Sequence, residues 1–468
     1  MRQSQKILKN IASLTAGEAV SKGIIFVYNA YLARVITPEG FGIFGFATAY
    51  IMYFLLFVNL GFNTVGAREI AKSPSNTSKY VNSIISVRCI LAIIAYAILF
   101  FTVLALDKPV LVKYIIWISG INLFSNAILL DWVFHGNEKM EYLSLRQIIT
   151  NLLNLIGIIL LVHSKADIVI AAIVIAASTF INSVWMLLLY IKLYGKIKLN
   201  INIPFYKEML KSSIPIAFSN FFIIILNYFN MFLLGIFRTD EETGLYNAAF
   251  KILALTIVPT VILQNSFFPL ISRSETLEDR QKVMKKFFLL IFIFGTIVTA
   301  GFFTYSDYIV LTVFGNEYAH SSELMRILMF TSFIVYINVA TTVPLIGWKK
   351  EKLVMYSIIT GGVINIILNF ALIPDYGAKG AVIATVISEG VVAVGLSYHF
   401  YRIIHKLYFL DSLKLILFSL LSCFIGYLMM KNGFHPLLSG SVTIVTFLIF
   451  IFLFRTITLP EIKEYFKK

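Results

Sequence analysis

The feature that most constrains this chain is the recurrence of apolar runs of about 20 residues, the length a helix needs to cross about 30 Å of hydrocarbon. Short polar breaks separate them from one end of the chain to the other. We read fourteen such spans, at 11–36, 40–62, 80–106, 111–134, 144–162, 167–193, 209–236, 243–271, 284–305, 322–347, 353–373, 378–401, 411–430 and 437–455. Hydrophobic residues make up 59% of 468 positions and charged ones only 13%. A single packed core cannot absorb that much apolar surface, so part of it must face lipid. In lipid every backbone N–H and C=O needs an internal partner, and the runs lack the period-two alternation of barrel strands. The expected fold class is an all-α polytopic membrane protein.

The net charge of +15 does not point to nucleic acid, because of where the 39 Lys and Arg fall. They gather on alternate inter-span segments, as in Lys192, Lys196, Lys198, Lys207 and Lys211, and again in Arg273, Arg280, Lys282, Lys285 and Lys286. That asymmetry assigns these segments and both termini to the cytoplasm, with membrane lipids as the partners of the basic charge. The N-terminal basic residues precede an apolar run, as in a signal peptide. Glu18 and Lys22 interrupt that run, however, so it reads as a retained first span in the inner membrane. Cys89 and Cys423 both lie inside spans, the six histidines are dispersed, and no HExxH, Walker A or Gly-x-Ser-x-Gly pattern occurs. No metal or cofactor is expected, and no catalytic residue.

An internal repeat organises the spans. Thr37, Glu39, Gly42, Phe44 and Ala47 match Thr239, Glu241, Gly244, Tyr246 and Ala249 at a shift of 202 positions, and Gly136 and Asn154 match Gly347 and Asn365 at a shift of 211. The chain therefore reads as two six-helix lobes, 1–200 and 201–406, around a central cavity, followed by two extra helices and a tail in 407–468. A repeat of an even number of spans keeps its orientation, so the lobes are related by an axis along the membrane normal and can rock for alternating access. The turns at Pro38 to Gly42 and Asp240 to Gly244 are expected to meet on the external side. Pro215, Pro259 and Pro344 are hinge candidates.

The segment Tyr31-Leu-Ala-Arg-Val-Ile-Thr-Pro-Glu-Gly-Phe-Gly-Ile-Phe-Gly-Phe-Ala47, followed by Leu60-Gly-Phe-Asn-Thr-Val-Gly-Ala-Arg-Glu-Ile-Ala-Lys72, resembles the opening of the Wzx-type oligosaccharide flippases. These belong to the superfamily that also holds the lipid II flippases and the multidrug and toxin extrusion transporters. The resemblance implies a flippase, not an enzyme, that moves an undecaprenyl-pyrophosphate-linked oligosaccharide to the external leaflet for cell-surface polysaccharide such as O-antigen. It also implies glycan polymerase machinery as a further partner.

Such a substrate needs a hydrated path with cationic partners, because its pyrophosphate and hydroxyls would otherwise lose their water in hydrocarbon. Lys22, Arg88 and Lys251 are basic residues within spans, and Glu18 lies one helical turn before Lys22 and can pair with it. Arg34 and Arg68 stand at span ends in the motifs just quoted, at the external mouth and on the cytoplasmic side respectively. All six are candidates for substrate binding, with internal salt bridging and interfacial anchoring as the structural alternatives. Asp131 and Glu389 are the acidic candidates for ion coupling. Two other functions fit less well. A cation-coupled drug exporter would place acidic groups deepest, whereas the deepest charges here are basic. A membrane glycan polymerase or ligase would need catalytic groups on a large external loop, and the longest polar one is the short stretch around Asp307 to Glu323.

Overall fold

A computed structural model describes residues 3–198, 202–406, 408 and 413–454, with the side chains of residues 3–16 and 19 excepted. In chain order the helices are α1 (Gln3–Asn59), α2 (Phe62–Lys72), α3 (Thr77–Ala105), α4 (Val110–Gly120), α5 (Asn122–Ile128), α6 (Asp131–Gly136), α7 (Met140–Leu161), α8 (Ile168–Tyr194) and α9 (Ile203–Phe237). There follow α10 (Asp240–Thr256), α11 (Val258–Ser272), α12 (Leu277–Thr304), α13 (Ser306–Phe314), α14 (Ser321–Gly347), α15 (Glu351–Ile404), α16 (Leu413–Lys431) and α17 (Pro436–Leu453). No strand occurs among the described residues.

Among the described residues twelve stretches are long and apolar enough to cross a membrane, and two of them, in α1 and α15, are double length. Each is sharply bent, α1 at Thr37 (φ 63°, ψ 171°) and α15 at Gly377 (φ 54°, ψ −132°). Divided at these bends they supply the expected fourteen spans, and the bends fall in the gaps read at 36–40 and 373–378. The cause is local: Pro38 and Pro374 each remove a helical N–H, and Gly377 tolerates a positive φ that a side chain would oppose.

Other breaks depart from the sequence reading. The span expected at 111–134 is three pieces, α4 to α6, broken at Ile121 and again at Leu129 (ψ 127°). Of the three proline hinge candidates, Pro259 alone marks a helix break, standing in the first turn of α11 beyond Ile257. Pro215 and Pro344 lie within α9 and α14, which continue through them.

The helices group into two compact units, Met1–Ala248 with Gly362–Ala384, and Ala249–Gly361 with Thr385–Lys468. Phe62, Ile84, Trp132, Phe134 and Met186 lie at the centre of a core cluster in the first unit. Ile271, Phe287, Phe288, Tyr336 and Phe400 do the same in the second. Large apolar side chains such as Phe101, Leu160, Val394 and Leu420 point outward from the spans, as lipid-facing residues must.

The repeat is visible in matched backbone contacts. A Cβ on Gly42 would lie 1.7 Å from the Asp240 carbonyl oxygen, and one on Gly244 would lie 1.8 Å from the Pro38 carbonyl oxygen. These two contacts exchange under the shift of 202, so the turns expected to meet do meet, in a reciprocal arrangement that only glycine permits. At the shift of 211, the ends of α6 and α14 are built alike. Glu138 (φ 57°) and Lys349 (φ 59°) both take the left-handed conformation. The N–H of Lys139 then reaches the Phe134 carbonyl at 2.9 Å, and that of Lys350 the Leu345 carbonyl at 2.8 Å, the Schellman closure in each case.

Candidate functional site

Charged side chains within spans are costly unless they pair, so each one's partner decides its use. Lys22 and Glu18 share one face of α1, with Nζ 4.0 Å from Oε1, and both side chains are more than a third exposed. A contact that long and open leaves the lysine able to receive another anion. Lys251 sits half-buried in the middle of α10, and no hydrogen bond or ion pair ties it down among the described residues. It belongs to the second unit, whereas Lys22 belongs to the first.

Arg88 is different. It is 1% exposed, and its guanidinium donates to the Asn63 and Asn59 side-chain oxygens at 3.1 and 2.7 Å, to the Leu129 carbonyl at 3.2 Å and to the Asn126 carbonyl. The last two carbonyls lie where α5 ends, so Arg88 ties down the break in the fourth span while holding the junction of α1 and α2. Asp131, at the start of α6, pairs with Arg146 on α7, Oδ1 to Nε at 2.8 Å though out of hydrogen-bonding alignment. Arg68 and Lys72 flank Glu69 on α2 at 3.1 and 3.0 Å. The Lys72 hydrogen bond, and less so Arg68, holds the Glu69 carboxyl below its ordinary range. Arg34 is exposed three residues before the bend in α1. Glu389 on α15 accepts a 2.7 Å hydrogen bond from the Asn338 amide on α14, with no ion pair among the described residues.

Of the ionisable groups flagged from sequence, Glu18 joins Lys22 and Arg88 lies within electrostatic reach of Asp131, while Arg68 and Glu389 have partners of their own. The sequence reading passed over Arg146 as a binding partner, and it gave no uncharged amide a structural role, Asn154 and Asn365 entering only as repeat positions. Asn369 on α15 donates to the Asn230 side-chain oxygen at 2.7 Å and to the Asn365 side-chain oxygen at 2.9 Å. Asn230 on α9 in turn donates to the Tyr246 hydroxyl on α10 at 2.9 Å. All four are essentially buried. Asparagines inside otherwise apolar spans were the available signal, since an unpaired amide in hydrocarbon costs several kcal/mol as surely as a charge does.

Residues 7–275 match the model of the family described as polysaccharide biosynthesis protein. A putative O-antigen transporter of Shigella dysenteriae is 26% identical over 389 residues, covering 82% of this chain and 98% of the relative. The capsular polysaccharide biosynthesis protein CapF of Staphylococcus aureus is 24% identical, covering 85% and 100%. The solved structure of the lipid II flippase MurJ in an inward closed conformation superposes with a TM-score of 0.78 at 18% identity, covering 94% of this chain and 98% of MurJ, and so shares its fold. With more than half its length matched by the family model and its whole architecture matched by that transporter fold, the chain belongs to the polysaccharide biosynthesis protein family, as a multi-pass membrane protein of the Wzx-type flippase kind.

Proposed function

We propose that this protein carries an undecaprenyl-pyrophosphate-linked oligosaccharide across the inner membrane, from the cytoplasmic to the external leaflet, by rocking of the lobes 1–200 and 201–406 about a central cavity. The observation that carries the reading is Lys251: a lysine in mid-span without an anionic partner among the described residues. Removing a single ammonium from water costs several kcal/mol, so its retention calls for an anion that arrives from outside the fold. Lys22 is the second cation, its loose contact with Glu18 serving as a place-holder that a pyrophosphate displaces, since a doubly charged phosphate out-competes one carboxylate. Arg34 and Arg68 line the route at its two ends. Arg88 contributes through shape, by holding the broken fourth span, and not through direct contact. For ion coupling Glu389 is the stronger candidate, because Asp131 already has Arg146 for a partner.

The test is flipping of a fluorescent undecaprenyl-pyrophosphate oligosaccharide in proteoliposomes. Flipping by the intact protein and a large loss in monodisperse Lys22→Ala and Lys251→Ala variants are expected. Full activity of both variants would remove the cation-based mechanism. Absence of flipping by intact protein, with export of cationic drugs instead, would replace the flippase reading with the exporter one.

A further inference from the structure

The reciprocal Gly42 and Gly244 contact has a charged neighbour. Lys108, in the connection between α3 and α4, places Nζ 3.1 Å from Oδ1 of Asp240, and each of the two side chains is only 14% exposed. The same ammonium stands 5.7 Å above the ring of Phe46, itself fully buried. Asp240 thus does two things at once: its carbonyl oxygen abuts Gly42, and its carboxylate holds Lys108. The same first turn of α10 makes a second clasp. Glu242 accepts from Arg238 at 2.8 Å and from the N–H of Ala378 at 2.8 Å, just past the bend in α15, while Arg238 donates to the Pro374 carbonyl at 3.2 Å.

An ion pair shielded from water by an aromatic ring, and built against a backbone contact with no room for a methyl group, exists in one conformation or not at all. A backbone approach that close cannot be relaxed gradually, because any parting of Gly42 from Asp240 draws the carboxylate away from Lys108. We propose that the Lys108 and Asp240 pair is the latch of the external gate, closed in this conformation and broken each time the path opens outward. The proposal rests on the alternating-access reading above. What it adds is which contact sets the balance between the closed and open states.

The pair's repeat counterpart is asymmetric: Pro38 stands where Asp240 stands in the second copy, so the repeat supplies the backbone contact twice but the acidic latch once. Charge reversal at either end therefore has no substitute partner.

The experiment uses the full chain in proteoliposomes, with Cys89 and Cys423 replaced by alanine and spin labels on Glu39→Cys and Glu241→Cys, two exposed positions related by the repeat. Distances are measured for the parent, for Asp240→Lys, for Lys108→Asp and for the double exchange. Each single reversal is expected to raise the long-distance population about tenfold or more, and the exchange to restore the parental distribution. Distributions unmoved by both reversals, or a double exchange as perturbed as the singles, would overturn the latch. A Lys108→Cys/Asp240→Cys protein bridged by a short bis-methanethiosulfonate gives a second measure that does not depend on charge. Its transport should stop on bridging and return on reduction, and undiminished transport while bridged would equally overturn the proposal. The spin-label result needs no substrate, so failure of the flippase reading and failure of the latch are told apart.

Discussion

Replacing Gly42 with alanine is the sharpest test of how the two repeats meet. In an exposed helix the change is favourable by about 1 kcal/mol, since alanine loses less backbone freedom. At this position the new methyl carbon would sit 1.7 Å from the Asp240 oxygen and 2.7 Å from the Gly244 nitrogen, against the 3.4 Å at which ordinary contact begins. The helices must part by about 1.7 Å, because a backbone carbonyl cannot rotate away as a side chain can. Parting also stretches the buried 2.9 Å bond from the Asn247 amide to the Phe41 carbonyl. Overpacking costs about 1–3 kcal/mol and the hydrogen bond about 1, so the net loss is about 1–3 kcal/mol after the helix-propensity gain. At about 2–4 °C per kcal/mol, thermal denaturation in detergent should fall by about 2–12 °C. Gly23→Ala and Gly301→Ala, with nothing within 4 Å of the new carbon, are the controls and should hold or gain stability. Gly244→Ala should match Gly42→Ala, and the double variant should cost less than their sum, because the first opens space for the second. Strict additivity, or a Gly42→Ala protein as stable as Gly23→Ala, would refute the reciprocal contact.

Three further outcomes are expected. Arg88→Lys should destabilise by about 3 kcal/mol, read as a lower denaturation midpoint, because one ammonium cannot span two asparagines and two carbonyls as the planar guanidinium does. Asp131→Asn should cost about 3 kcal/mol by leaving Arg146 unpaired in a span, with Asp131→Asn/Arg146→Gln recovering much of it; a double-mutant cycle with no coupling would refute the pairing. The Glu69 carboxyl titrates below its unfolded value, so its contribution is present above the unfolded pKa and disappears as pH falls through the folded one. Glu69→Gln should flatten that acid-side slope by no more than about 0.5 kcal/mol, the scale of exposed pairs, in pH-dependent unfolding of the detergent-solubilised protein.

The candidate site was legible in the sequence only as far as its charges. Lys22, Lys251 and Glu389 were found because an ionisable residue in an apolar run contradicts its surroundings, and that contradiction needs no coordinates. Their partners were not legible. Arg88 looked like a substrate ligand until Asn59, Asn63 and the α5 carbonyls were seen around it. Asn230 and Asn369 escaped notice, and Asn365 counted only as a repeat position, because an amide is a weak signal in a run dominated by leucine and isoleucine. Lys108 and Asp240 lie 132 positions apart, one in the connection between α3 and α4 and the other at the start of α10, and no periodicity links them.

By itself the sequence determined the class of solvent, the number of spans, the places where α1 and α15 bend, and the existence of a repeat. Each of these follows from local rules: helix length against bilayer thickness, proline and glycine backbone limits, and recurrence of the same turn residues. Tertiary structure alone decided which polar groups are used up in holding helices together and which are left over. Pairing in a membrane is a contest among all the donors and acceptors within reach, and reach is a property of the packed helices and not of their order along the chain.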